Sequence, residues 1–322
     1  MPILFAGTSM ADFDLLGGTR DVGTGSTTRS PNVIESVYGQ GGTARNRAIF
    51  AAPATEFWLT AYLYTPSTGY IGSNIGLSLS SSTGADVFAL YSPTTATNIY
   101  AALADGSSFQ PVGSSFAFAS ALCRIDLYYK LSATNGRFSL YRDGTLIKDF
   151  TGNTNVVGAP DISRLDFRSF SGSGMYFSAV IAHTEDTRRL DMVQLLPNGD
   201  GTQTEWMGNY QAVDETGYSD TDIISSSSAG QVETFLLPDL PAGYSSFSIA
   251  GVVLGMRAQG SGSPGEIRGV ARISGVDYEQ APVSPLQPGW GPHKVIFENN
   301  PASAARWTQA DINAAEFGVK SV

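Results

Sequence analysis

Hydrophobic positions in this chain recur mostly at every second residue, in runs too short for helices. From Cys123 onward, Ile125, Leu127, Tyr129 and Leu131 alternate with Arg124, Asp126, Tyr128 and Lys130, the pattern of a half-buried strand. Asn135-Gly136, which accepts positive φ at low steric cost, predicts a hairpin turn into a strand over 137–142. Asp143-Gly144 then turns the chain into 145–150, so residues 123–150 read as a three-stranded meander. Residues 57–64 are the strongest early strand. Phe57, Leu59, Ala61 and Leu63 share one face; Trp58, Thr60, Tyr62 and Tyr64 share the other. A strand apolar on both faces is expected between packed layers.

Residues 75–80, 87–91, 98–102 and 115–118 read as further short strands, and 17–30 as a polar loop. Residues 39–42 form a glycine-rich cluster, and Pro66 ends the 57–64 strand. Residues 164–170 and 175–183 make another strand pair, bridged by the small residues 171–174. Even spacing of this kind implies a sandwich or jelly roll. A boundary near residue 190 separates 1–190 from a smaller set of strands in 191–322, read at 232–237, 247–257, 266–274 and 294–297. Asn198-Gly199-Asp200-Gly201 reads as a turn. The chain closes on a short helix, with Thr308 as N-cap, Asp311 completing a capping box, Trp307 and Ile312 at staple positions, and Gly318 as the stop.

Composition narrows the function. The 322 residues are 42% hydrophobic, enough for a sizeable core, and only 15% charged. A net charge of −10 with no Lys/Arg cluster argues against a nucleic-acid partner. One cysteine, Cys123, excludes an intrachain disulfide and reads as a buried small hydrophobe. His183 and His293 have no spaced His or Cys partner for zinc. The N-terminus lacks a signal-peptide pattern, and no run is long and apolar enough to insert in a membrane, so a soluble protein made in a cytoplasm is expected.

Candidate chemistry is sparse. The string from Gly260 to Gly265 matches G-x-G-x-x-G, but a strand rather than a helix follows, so it reads as a hairpin loop. Asn198, Asp200, Thr202 and Glu205 offer spaced oxygen ligands for calcium, and Asp220 and Asp222 a second carboxylate pair, without the full loop spacing. No paired-carboxylate string suits a glycosidase, and G-x-S-x-G is absent. No catalytic residue, cofactor or metal ligand is assigned. Trp58, Tyr128, Tyr141 and Tyr176 lie opposite the apolar faces of their strands. Either a second layer covers them as core, or they form a platform on which a glycan stacks.

Particular segments carry two resemblances. Residues 124–130 and 136–147, centred on Tyr141-Arg142-Asp143-Gly144, resemble a concanavalin A-like (laminin-G-like) jelly roll. The series 180–183, 186–188, 195–201, 205–206, 209–210 and 213–215, closing with 307–313 and 316–320, resembles tailed-bacteriophage virion structural proteins across nearly the whole chain. That resemblance implies a non-enzymatic fibre, spike, tail or capsid-decoration component. It implies assembly in the host cytoplasm into the virion, contact with other virion proteins, a homo-oligomer, and attachment to host-surface polysaccharide. A carbohydrate-binding module and a polysaccharide depolymerase are the alternatives.

Overall fold

The computed structural model describes residues 2–16, 22–23, 29–34, 36–39, 44–65, 74–92, 99–116, 121–168, 174–260, 262, 264–281 and 286–322. The readings at 17–30, 39–42, Pro66, Asn98, 117–118, 169–173, Ser261 and Ser263 lie wholly or partly outside these residues. The described chain is almost entirely antiparallel β, with one short α-helix, and divides into two compact units, Met1–Val193 and Gln194–Val322.

The first unit is a jelly-roll sandwich of two sheets. One sheet runs, in spatial order, Thr145–Gly152, Gly136–Arg142, Cys123–Lys130, Glu56–Tyr64, Met175–His183, Ser36–Gly39 and Val22–Gly23, with Ile3–Gly7 also paired to Met175–His183. The other runs Phe109–Pro111, Tyr100–Ala104, Asp86–Ser92, Asn74–Ser80, Ile162–Phe167, Arg45–Ala54 and Asp14–Leu16. Alternation turns Phe57, Leu59, Ala61, Leu63, Ile125, Leu127, Tyr129, Phe138 and Leu140 inward, each at most 2% exposed. Aromatic rings join the sheets: Phe88 meets Tyr129 at 5.4 Å and Phe138 at 5.1 Å, and Phe167 stacks on Phe177 at 4.1 Å. Each such side chain contributes roughly 1.5–3 kcal/mol through burial. The 123–150 meander forms with Tyr128 opposite both Trp58 and Ser139.

The turns differ from expectation. Positive φ falls on Asp143 (48°) and Gly144 (77°), not on Asn135-Gly136. The first connection is instead pinned by the Ser132 hydroxyl, which accepts from the N–H groups of Thr134 and Asn135. Gly136 is required by crowding, because a Cβ there would lie 2.0 Å from Thr154 Oγ1. Residues 115–116 form no strand. Pro111 closes the edge strand Phe109–Pro111, and Phe116 makes a single bridge to Ile99.

The second unit has a five-stranded sheet in the order Gly199–Thr204, Val232–Leu236, Glu316–Ser321, Ile267–Ile273 and Val276–Glu279. A two-stranded ribbon, Val252–Ala258 with Gly291–Phe297, accompanies it. Ala271, Val295, Phe297, Trp307, Ile312, Ala315 and Phe317 form its core. Val252–Ala258 pairs within the ribbon and Ile267–Ile273 within the larger sheet, so these two strands form no hairpin with each other. The strand expected from 247 starts at Val252, and Phe247 is 63% exposed.

The Gln309–Ala314 helix starts as read. Thr308 Oγ1 accepts from Asp311 N, and Asp311 Oδ2 accepts from Thr308 N. Trp307 and Ile312 are both buried in the core, and the Trp307 indole donates to the Phe297 carbonyl at 3.0 Å. Gly318 does not stop this helix. It lies inside the Glu316–Ser321 strand, where a Cβ would come 1.9 Å from the Glu233 carbonyl oxygen. Gly318→Ala is expected to destabilise the second unit by about 2–3 kcal/mol, as overpacking against backbone does. Gly144→Ala, at φ 77° with nothing within 4 Å, should cost about 1 kcal/mol. Urea unfolding of the two variants checks the contrast.

Candidate functional site

The outer face of the eight-stranded sheet brings aromatic, cationic and acidic side chains together. Period-two alternation along neighbouring strands turns Glu56, Trp58 and Thr60, then Arg124, Asp126 and Tyr128, then Arg137, Ser139 and Tyr141, to that side. Register does the rest. Trp58 faces Tyr128, Tyr128 faces Ser139, Thr60 faces Asp126, and Asp126 faces Tyr141.

Part of this face is sealed by a buried polar cluster. The 3-10 turn Thr187–Arg189 folds back over the sheet, N-capped by the Asp186 side chain. Asp126 is 1% exposed, and its carboxylate accepts from Arg124 Nε and Nη2, each at 3.0 Å. Thr60 Oγ1 lies 2.5 Å from Asp126 Oδ1 and 2.7 Å from Thr187 Oγ1. Arg124 Nη2 also donates to the Thr187 carbonyl at 2.8 Å. Burial pulls the Arg124 pKa down, but bonding to Asp126 outweighs it and the net shift is upward. A buried charge is tolerated because it is paired and hydrogen-bonded.

Beside this seal lies an open recess of about 270 Å³, lined by Trp58, Tyr128, Arg137, Ser139, Tyr141 and Arg188. Arg188 reaches it from the 3-10 turn, its guanidinium 4.7 Å from the ring centres of both Trp58 and Tyr141. Trp58 and Tyr128 are tilted at 5.2 Å, and Trp58 and Tyr141 stack at 6.2 Å. Carboxylates hold the polar groups from outside the recess. Asp186 accepts from Arg188 Nε and Nη2, and Asp149 accepts from Arg137 Nε and Nη2 and from the Ser139 hydroxyl. Tyr128 donates to Glu56 at 2.6 Å. The Ser139 hydroxyl first, and Arg137 with it, hold Asp149 below the usual carboxylate range; Arg188 does the same for Asp186. Burial, then the bond to Glu56, pushes the Tyr128 phenol up to about 12.

Of the aromatic candidates, Trp58, Tyr128 and Tyr141 come together, half-buried and covered by no second layer among the described residues. Tyr176 stands apart, beside Tyr38 at 5.0 Å and Tyr64 at 6.1 Å. Arg137, Ser139 and Arg188 were not singled out from sequence. Arg137 and Ser139 share the alternate positions of Tyr141, so the period could have found them, whereas nothing local marks Arg188. His183 faces Trp58 in register but is buried, its Nδ1 accepting from Glu185 N.

The calcium reading is not supported. Asn198-Gly199-Asp200-Gly201 is no turn; Gly199–Thr204 is a strand paired with Val232–Leu236, and the Asn198 N–H joins it by donating to the Leu236 carbonyl. Gly201 permits this approach, since a Cβ would lie 2.3 Å from Thr234 Oγ1. Asp200 accepts from Tyr210 N, Thr202 donates to Glu316, and Glu205 accepts from Val232 N. Asp220 is forked by Arg257, which separates it from Asp222 as a ligand pair. Among the described residues, no group of three or more His, Cys, Asp or Glu is placed to hold a metal, and no helix is long and apolar enough to cross a membrane.

No family model matches the chain, and no curated protein matches it. Several solved structures are similar. A mutant of the alginate lyase Aly36B, in complex with alginate tetrasaccharide, is 13% identical with a TM-score of 0.37, covering 47% of this chain and 81% of its own. The globular domain of T. cruzi calreticulin is 8% identical with a TM-score of 0.42, covering 57% of this chain and 89% of its own. Caenorhabditis elegans galectin LEC-6 is 11% identical with a TM-score of 0.34, covering 45% and 93%. None of these likenesses carries an argument about ligand or activity.

Two of the carboxylate–guanidinium pairs make a testable contrast. Asp126→Ala strands Arg124 in the seal and should cost about 3 kcal/mol or more. Asp149→Ala breaks a pair whose side chains are 48% and 40% exposed, and should cost under about 1 kcal/mol. Urea unfolding followed through Trp58, the single tryptophan of the first unit, reads both.

Proposed function

We propose that the chain is a non-enzymatic, saccharide-binding component of a tailed-bacteriophage particle, with the recess of its first unit facing the sugar. The observation behind the binding is the convergence of Trp58, Tyr128 and Tyr141 with Arg188 around one open recess. Rings on a wet sheet face gain by shedding water onto the apolar face of a sugar, and the surrounding polar groups fix its orientation. A recess of about 270 Å³ suits a sugar unit entered from a longer chain. The virion setting, and with it a homo-oligomer in contact with other particle proteins, rests on the sequence resemblance.

Protonation favours binding over catalysis. No carboxylate lines the recess, and those bonded to its lining residues, Glu56, Asp149 and Asp186, are engaged by Tyr128, by Ser139 and Arg137, and by Arg188. Lowered pKa values keep Asp149 and Asp186 ionised, unfit as general acids near neutral pH. A phenol raised to about 12 keeps Tyr128 protonated, unfit as a base.

Trp58→Ala and Tyr141→Ala are each expected to weaken binding of host-surface oligosaccharides at least tenfold in calorimetric titration; unchanged affinity would overturn the binding. Incubation with the same polysaccharides should release no new reducing ends, and steady release would establish an enzyme instead. Depressed carboxylate pKa values mean their ion pairs persist above about pH 4 and fail only as pH falls below it. Affinity should therefore stay level between about pH 5 and 9 and drop in stronger acid. Mass spectrometry of purified particles should detect the chain, and its absence there removes the virion setting.

A further inference from the structure

The lining of the recess is unbalanced in one respect: its side chains supply donors, and no carboxylate is among them. Tyr128 and Ser139 give their hydroxyl protons to Glu56 and Asp149, but the two guanidiniums are incompletely used. Asp186 binds Arg188 along the Nε–Nη2 edge, and Asp149 binds Arg137 along the same edge. In both residues Nη1 has no hydrogen-bond partner among the described residues, and the side chains are 40% and 48% exposed. Each carboxylate thus fixes a guanidinium without consuming its outer edge. That outer edge, formed by Nη1 and the second hydrogen of Nη2, matches two oxygens of an incoming anion.

Position strengthens the case. Arg188 stacks over Tyr141, and Arg137 stands four residues before Tyr141 on the same strand, about 13 Å away at ~3.3 Å per residue. Both guanidiniums thus line the recess floored by these rings. Stacking on Trp58 and Tyr141 also orders Arg188 before any ligand arrives, which lowers the entropy lost on binding.

We infer that the recess takes an acidic sugar, one bearing a carboxylate or sulfate group, with Arg137 and Arg188 as its specificity-determining residues. This inference rests on the saccharide-binding reading above and adds the class of sugar.

The test titrates the full chain with three probes of equal length: an oligo-uronate, the same oligosaccharide with its carboxyl groups reduced to alcohols, and a sulfated oligosaccharide. At least one acidic probe should bind ten times or more tighter than the neutral one, and comparison of the two names the anion. Arg137→Gln and Arg188→Gln should each collapse that preference, bringing the acidic probe's affinity to within about threefold of the neutral probe's measured on the same variant. Thermal unfolding confirms that the variants are folded, and Arg137, at 48% exposure, is the safer of the two. Equal affinity for acidic and neutral probes, both lost in Trp58→Ala, overturns the acidic assignment and leaves saccharide binding standing. Binding of none of the three probes overturns both.

Discussion

Asp126 is a carboxylate taken out of water on the side of a sheet that faces away from the core, and the surrounding surface is arranged to satisfy it. A bare charge there would cost several kcal/mol. Arg124, Thr60 and the Thr187 turn together make burial tolerable, and in doing so they bring the chain after the Met175–His183 strand back over the sheet. Arg188 is carried along by that return. Its place over Trp58 and Tyr141 follows from a bond network one residue away rather than from the strands that supply the rings. The recess thus has a rigid floor, set by strand register, and one wall set by a buried ion pair.

Much of the first unit was legible because its strands are amphipathic in the simplest way. Alternation from Ile125 to Leu131 assigns the core face without ambiguity, and the same count places Tyr128 and Tyr141 outside. The count fails at Asp126, which belongs to the polar face yet is buried. Period two tells which side a residue faces, not what comes to lie on that side. The Thr187–Arg189 turn is three residues long, with no apolar pattern of its own, and its position depends on side-chain bonds to distant strands. Arg188 was invisible for that reason, and the placement of Tyr176 beside Tyr38 and Tyr64 was equally so, because strand order across the sheet is a long-range property.

The second unit was harder to read because small residues there serve close approach rather than turning. Gly199-Asp200-Gly201 has the composition of a loop and the conformation of a strand. Gly201 and Gly318 let strands pass where a methyl group would strike a neighbour. Asn, Asp and Gly are enriched in turns since they tolerate unusual φ, but tolerance is not a requirement. The terminal helix was legible at its start, where the capping box is local chemistry, and illegible at its end, where Gly318 answers to a strand far away in sequence.

The pairing of Val232–Leu236 with Glu316–Ser321 also fixes an order of events during vectorial synthesis. Val232–Leu236 leaves the ribosome long before its inner neighbour exists, and Ile267–Ile273 must wait for the same strand. Until Glu316–Ser321 emerges and is inserted between them, two unsatisfied backbone edges stand open at once. The nascent second unit is therefore most adhesive just before its sheet closes, and ribosomes crowded on one message would bring like edges together.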